Sequence, residues 1–282
     1  MTNDTAGTGW FESVPPDDVD AAADRIRTGS ADAPADWPAQ AVEDGAVDDE
    51  DAYYDALRAA TRSAARAEVS ASERAGDKQL VHAVRSMDDC ERTANELAER
   101  VAEWAGSRDD DAGTGIEYAR RLAGIDADDP TERRLVSLAE RVADLADERD
   151  ALRGFVERQA AEVAPNLSAL AGPVLAARLI ALAGDLESLA KQPSGTVQVL
   201  GAEDALFAHL RGRGPSPKHG VIFTHEYVRG TDPDERGSAA RALAGKLTIA
   251  ARVDHYSGDR KPELDAELDE RIERIRSRGE DE

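Results

Sequence analysis

The sequence predicts an all-α protein: an elongated coiled-coil hairpin followed by a helical domain, behind a small acidic N-terminal region. Three observations carry this. Apolar residues recur at alternating steps of three and four from Met87 to Trp104 and again from Leu135 to Val156, the spacing of a coiled-coil seam. From Ala164 onward, apolar stretches are cut by Gly and Pro into short helical segments. The first 72 residues are poor in core formers and rich in acid.

At 282 residues, the chain is long enough for two or three domains, or for one domain with elongated helical parts. Lys and Arg number 35 against 58 Asp and Glu, a net charge of −23. Such acidity gives a solvated, self-repelling surface. Few of the cations are Lys (Lys78, Lys191, Lys218, Lys246, Lys261), and Ala and Asp abound, a bias that looks like adaptation to a salt-rich cytoplasm. The charge is unevenly placed. Between Lys191 and Lys261 stand 11 Lys/Arg and 8 Asp/Glu, net +3, leaving 24 against 50, net −26, elsewhere. Basic residues placed against so acidic a background fit a polyanion-binding surface.

Cys90 is the sole cysteine, which excludes an intramolecular disulfide and a multi-cysteine metal site. On its helical seam it reads as a small buried residue. No run of eighteen or more apolar residues occurs, and MTNDTAGTGW lacks a basic-then-apolar signal, so the expectation is a soluble cytoplasmic protein without membrane contact.

Taken in order, residues 1–72 carry Trp10, Phe11, Trp37, Tyr53 and Tyr54 scattered among Pro, Gly and Asp. Two readings stand: a small domain that orders on docking, or a disordered acidic arm with apolar anchors. Residues 73–163 form the expected hairpin. Its first helix has the seam Met87, Cys90, Ala94, Leu97, Val101 and Trp104, with Leu80 one heptad earlier and a stop at Gly106. A short helix is expected near Ile116–Leu122. Asp129, Pro130 and Glu132 then give a cap, a first helical residue and a capping-box spacing. The second seam is Leu135, Leu138, Val142, Leu145, Leu152 and Val156, broken by Arg149. Helices of equal length predict an antiparallel hairpin that pairs with another hairpin; the competing reading is packing into one monomeric bundle. In the dimeric reading Met87, Leu97, Val101, Leu138, Val142 and Leu145 line the dimerisation seam.

Residues 164–258 hold two apolar helices separated by Gly172-Pro173, a helix from Ala202 to about Arg211, a loop Pro215–Gly220, a buried VIF and a core helix from Ser238 to Asp254. That last helix is expected to turn Ala242, Leu243, Leu247, Ile249 and Val253 inward. Residues 259–282 repeat Leu264, Leu268, Ile272 and Ile275 in an amphipathic, charged tail ending Glu280-Asp281-Glu282.

The phrases NLSALAG, ARLIALAG, LAKQPSGTVQVLGAEDALF, PKHGVIF and LAGKLTIAARVD occur in that order. Together they resemble the Nop domain, shared by the core scaffold proteins of box C/D small ribonucleoproteins and a related spliceosomal factor. The 77–106 stretch also resembles the family's first coiled-coil helix, although the His-Phe-Pro-Glu phrase that usually follows is replaced by Ser107-Arg108-Asp109-Asp110-Asp111, so an altered hairpin tip is expected. The resemblance implies an archaeal-type, non-catalytic scaffold without metal or cofactor. Its implied partners are box C/D guide RNA, a kink-turn-binding ribosomal-type protein, fibrillarin through the N-terminal region, and a second copy through the coiled coil. The implied outcome is 2′-O-methylation of target RNA.

Arg241 and Arg252 stand eleven residues apart, so one helix face presents both, about 16 Å apart by helix rise. Arginine suits bidentate phosphate contact and stacking on unpaired bases. The resemblance aligns both, with Lys246, to positions that touch kink-turn RNA; the bland reading pairs at least one of the three with a nearby carboxylate. Lys218 and His219 place an amine and an imidazole on a loop, where a lone histidine is as often merely solvated. Gly201, Ala202, Glu203 and Phe207 match the GAExALF phrase that approaches RNA and kink-turn protein, with Phe207 read as core. Asp204 and Ala208 depart from the basic residues common there. That departure supports the alternative, a coiled-coil interaction protein whose degenerate Nop domain binds no RNA. A third class, a metal-dependent phosphohydrolase, would need His209, His219, His225 and His255 with Asp254 and Glu226, but no HExxH spacing, phosphate loop or GxSxG phrase is present. His225-Glu226 on a strand would point to opposite faces.

Overall fold

The structure, a computed structural model, describes residues 9–15, 18–30 and 35–280, the side chains of 279 and 280 excepted. The N-terminal stretch 1–8 and the acidic end Asp281-Glu282, both read above from sequence, lie outside the described residues. Every described regular element is helical. The chain divides into two compact units, residues 1–75 and 76–282.

In the first unit, helices α1 (Val19–Thr28), α2 (Trp37–Glu43) and α3 (Glu50–Glu73) each begin at an aspartate. Asp18, Asp36 and Asp49 accept the N–H groups of Ala21, Ala39 and Ala52 at 3.0, 3.4 and 2.8 Å, so part of the acidity serves helix starts. The scattered aromatics form one cluster. Phe11 and Tyr53 are buried with Trp10, Trp37 and Leu57 against them, and Trp10 Nε1 donates to Tyr53 Oη at 3.2 Å. Among the described residues this region is helical around that cluster.

The second unit begins with α4 (Gly76–Gly106), α5 (Gly115–Ala123) and α6 (Pro130–Val163). Asp129 caps α6 through the N–H groups of Thr131 and Glu132 at 2.7 and 3.0 Å. Glu132 accepts the N–H of Asp128, one residue before the N-cap N–H that the expected capping box would engage. α4 and α6 pack as the predicted hairpin, but the seam is displaced by one residue at alternate positions. On α4 the buried line is Leu80, Val84, Met87, Ala94, Ala98, Val101 and Ala105. On α6 it is Leu135, Ala139, Val142, Ala146, Val156 and Ala160.

Alanine at alternate seam positions brings the helices close and pushes the large neighbours outward. Cys90, Leu97, Leu138 and Leu145 are thus half-buried flanks rather than seam, and Trp104 is exposed. The predicted dimerisation residues Met87, Val101 and Val142 are fully buried within the chain. Leu97 and Leu138 pack in a second cluster with Ile116, Ala119 and Leu122 of α5, making the altered tip a small three-helix bundle.

The remaining helices are α7 (Pro165–Ala171), α8 (Pro173–Ala183), α9 (Leu186–Lys191), α10 (Ser194–Val199), α11 (Glu203–Leu210), α12 (Glu226–Arg229), α13 (Arg236–Tyr256) and α14 (Glu263–Glu280), with a 3-10 turn at Val221–Thr224. His225 and Glu226 therefore lie at a helix start and not on a strand. One core joins the base of the hairpin (Leu80, Met87, Val156) to Leu179, Ile180, Leu243 and Leu247, and to Leu268 and Ile272 of α14. The boundaries expected at 163/164 and 258/259 fall inside this core, because the α6–α7 junction is a buried Ala164 and the four apolar residues expected on α14 all face inward.

Polar ties reinforce the α4–α8 contact. Arg178 Nε donates to both carboxylate oxygens of Asp88 at 3.1 and 3.2 Å, and Arg85 donates to the Ala181 carbonyl at 2.9 Å. Among the described residues no single helix is long and apolar enough to cross a membrane; the apolar α7 and α8 are bent by 116° at their break.

Candidate nucleic-acid interface

Helix α13 organises the site. One side of it (Ala239, Ala240, Leu243, Leu247, Ala250) is buried in the core, and the opposite side carries Arg241, Ala242, Gly245, Lys246 and Ile249 along an open groove. Ile249, predicted to face inward, is 41% exposed on this side, because the helix turns Leu243, Leu247 and Ala250 to the core and Ile249 to the groove. Ala242 and Val253 are only half-buried.

Arg241 is exposed and has no hydrogen bond or ion pair among the described residues. It lines a second groove as well, together with Thr196, Gln198 and Lys218. The Pro215–Gly220 loop is pinned there by backbone contacts. Gln198 Nε2 donates to the Lys218 carbonyl at 2.7 Å, Gly220 N–H to the Gln198 carbonyl at 2.9 Å, and Val221 N–H to the Leu200 carbonyl at 2.7 Å. Gly220 is obligatory, since a Cβ there would lie 1.9 Å from the Leu200 oxygen. The stem of Lys218 passes over Gly237 at the start of α13, its Cδ 3.8 Å from where a Cβ would stand. Lys218 and Arg241 are thereby brought to one groove.

His219 is not simply solvated. Its ring stacks on Phe223 at 4.6 Å and 20°, and the Arg236 guanidinium lies over the same phenyl at 5.6 Å. Burial first, then the positive charges of Arg236 and Lys218, hold its pKa below the ordinary value. A neutral imidazole at neutral pH is suited to hydrogen bonding rather than phosphate pairing.

The other two predicted cations are engaged. Lys246 pairs with Glu267 of α14, as the bland reading anticipated for one of the three. Arg252 donates from Nε to the Ala190 carbonyl at 3.0 Å and from Nη2 to the Gln192 carbonyl at 3.4 Å. It satisfies the carbonyl end of α9 and remains exposed beyond it.

Two residues on, Asp254 is buried and accepts the N–H groups of Asn166 and Leu167 at 3.0 and 2.8 Å and the Asn166 amide at 2.6 Å. Asn166 Oδ1 in turn accepts the Lys261 N–H at 2.7 Å. This network links the NLSALAG and ARVD phrases as structural partners, which their sequence separation conceals.

Gly201 has φ +81° and donates its N–H to Glu203 Oε1 at 2.8 Å, so Glu203 holds the turn into α11 while Ala202 occupies its N-cap. α11 projects outward and buries no residue. Phe207, expected in the core, is 54% exposed and Leu210 is 70% exposed. A helix of two turns ended by its glycines leaves these groups beyond the reach of the core.

The imagined catalytic cluster disperses. His225 Nδ1 accepts the Tyr227 N–H at 3.1 Å and its Nε2 faces the Leu170 carbonyl at 3.0 Å, so the proton belongs on Nε2. His209 Nδ1 contacts the Gly214 carbonyl at 3.0 Å. Among the described residues no three His, Cys, Asp or Glu converge to hold a metal ion. Sequence reasoning missed Arg236, Gln198 and the arginines of α14. Only the last had a signal, their spacing of three and four on an amphipathic helix.

These features define a helical domain with a cationic stripe on an acidic chain. The Nop family profile, described as snoRNA binding domain, fibrillarin, matches residues 78–277. The chain belongs to the Nop family. An uncharacterised NOP5 family protein of Methanocaldococcus jannaschii is 52% identical over 125 residues, 44% of this chain and 30% of that protein. Nucleolar protein 56 of Homo sapiens is 46% identical over 107 residues, 38% of this chain and 18% of its own. The matched stretches thus span under a third of these relatives' length. In fold, the chain is similar to one from the crystal structure of a fibrillarin/Nop5p complex, with a TM-score of 0.53 at 24% identity, covering 90% of this chain and 92% of that one.

Proposed function

We propose that this chain is the non-catalytic scaffold of a box C/D guide-RNA particle. Its Nop domain docks on the composite of kink-turn RNA and kink-turn protein, and its N-terminal unit holds fibrillarin for 2′-O-methylation. The observation that carries the reading is Arg241: exposed, unpaired among the described residues, and lining two grooves, one of them with Lys218, in a chain of net charge −23. Lys218 and Arg241 contact phosphate, and neutral His219 offers a hydrogen bond to a base or sugar. The exposed Phe207 and Leu210 of α11 suit the protein half of the composite. Self-association uses side chains outside the hairpin seam, since Met87, Val101 and Val142 are fully buried within the chain.

Reconstitution tests this. Adding the chain to fibrillarin, kink-turn protein and guide RNA is expected to confer guided methylation, and an Arg241→Ala/Lys218→Ala variant to reduce it. Full methylation without the chain would refute the reading. The exposed Asp204 on α11 favours the second reading, a coiled-coil interaction protein without RNA affinity, which the same assay would reveal as an inert addition.

A further inference from the structure

We propose that the groove between α13 and α14 is a track for the phosphate backbone of an RNA stem, in which Arg271, Arg274 and Arg278 of α14 continue the path begun by Lys218 and Arg241. This rests on the RNA-binding reading above and adds a second helix to the interface. The three arginines follow steps of three and four, so they share one helix face, while Leu268, Ile272 and Ile275 bury another.

The groove holds about 640 Å³. Five cations (Arg241, Lys246 and the three arginines) and two anions (Glu267 and Glu270) line it, a local excess of positive charge on a strongly acidic protein. Lys246 pairs with Glu267 and Arg274 with Glu270 at 3.6 Å. Arg241, Arg271 and Arg278 have no partner among the described residues. Three guanidiniums around one groove, unpaired among the described residues, are available to an outside anion.

Gly245 supplies an independent observation. It lies in mid-helix on the groove wall, and an added Cβ would meet nothing within 4 Å. Its φ is not in the left-handed region, so neither packing nor backbone geometry requires glycine, and alanine would favour the helix. What glycine provides is clearance beside Arg241 and Lys246 for another molecule's backbone. Because Arg241 lines both grooves, the cationic path runs on past the loop of Lys218, longer than one phosphate needs. A polymer of phosphates fits it; an isolated anion would leave most of it empty.

The test uses the full chain and kink-turn RNA already bound to kink-turn protein, with either a long stem or a stem truncated at the kink, in titrations across salt. An Arg271→Ala/Arg274→Ala/Arg278→Ala variant is expected to bind the long-stem complex roughly tenfold or more weakly, with little change on the truncated one. Its log–log salt slope should shrink by roughly 2 to 3. Gly245→Leu is expected to raise the unfolding temperature yet weaken long-stem binding, opposite signs that a purely structural role does not produce. Wild-type affinity and slope in the triple variant, with binding lost in Arg241→Ala, would overturn the track and leave the α13 stripe standing. Unchanged RNA binding with weaker capture of kink-turn protein alone would instead assign the groove to an acidic protein. No wild-type binding to either complex would overturn the RNA-binding reading itself.

Discussion

The two halves of α13 carry the same kinds of residue and put them to different uses. Toward its C-terminal end, Arg252 satisfies the last carbonyls of α9 and Asp254 satisfies the first N–H groups of α7. Toward its N-terminal end, Arg241 meets no backbone terminus and stays unpaired among the described residues. Helical register places both arginines on one face, but register does not decide availability. What decides it is whether another helix end, with its orphaned donors or acceptors, lies within reach. One half of the helix is thus an anchor, while the other presents Arg241 unpaired among the described residues.

The largest expected effect lies at the anchor. Asp254→Ala removes the acceptor of three buried or half-buried N–H donors and should cost about 3 kcal/mol or more, read from chemical denaturation. A loss below about 1 kcal/mol would break the contrast between the two halves.

Next comes a paired measurement. Arg241→Ala is expected to weaken binding to the RNA–protein composite about tenfold while moving stability by no more than about 0.5 kcal/mol. Arg252→Ala should do the reverse in emphasis, destabilising by about 1–2 kcal/mol through two lost carbonyl contacts. Equal stability losses in both variants would erase the distinction.

A smaller effect sharpens the boundary between anchor and surface. Lys246→Ala breaks a partly exposed pair with Glu267 and should shift stability by about 0–1 kcal/mol, measured by thermal unfolding.

The smallest effect is in pH dependence. His225 and His219 both have native pKa values held below the ordinary one, burial being the first cause in each. Between the native and ordinary values the unfolded chain binds more protons than the native one. Stability is therefore flat above the ordinary histidine range and falls as pH drops through it. His225→Gln should flatten that fall in denaturation curves. A separate loss follows at lower pH, where Asp185 titrates at about 2, lowered first by hydrogen bonding from Ser188 and further by Lys78.

Much of the architecture was legible because periodicity reports directly on burial. The hairpin, the α5 position, the Asp129 cap and the apolar face of α14 followed from spacing alone. The seam register was misread for an energetic reason: reading the largest apolar residues as the seam ignores that alanines allow the closest approach and exclude bulk to the flanks. Composition and resemblance pointed to Arg241 and Lys218 as candidates, and the structure brings the two to one groove. Local spacing could not show that Arg252 and Lys246 are engaged, since their partners Ala190, Gln192 and Glu267 are 62, 60 and 21 residues away. The outward projection of Phe207 was hidden similarly, because a short helix reveals its exposure only when the elements around it are in place.

The most direct test of the central claim is the affinity of Arg241→Ala and Arg252→Ala, each against wild type, for kink-turn RNA with and without its kink-turn protein, alongside their unfolding free energies. The account predicts that wild-type binding requires the preassembled composite, that Arg241→Ala loses binding without losing stability, and that Arg252→Ala loses stability. Binding of naked RNA as tight as that of the composite, or an Arg241→Ala variant with wild-type affinity, would contradict it.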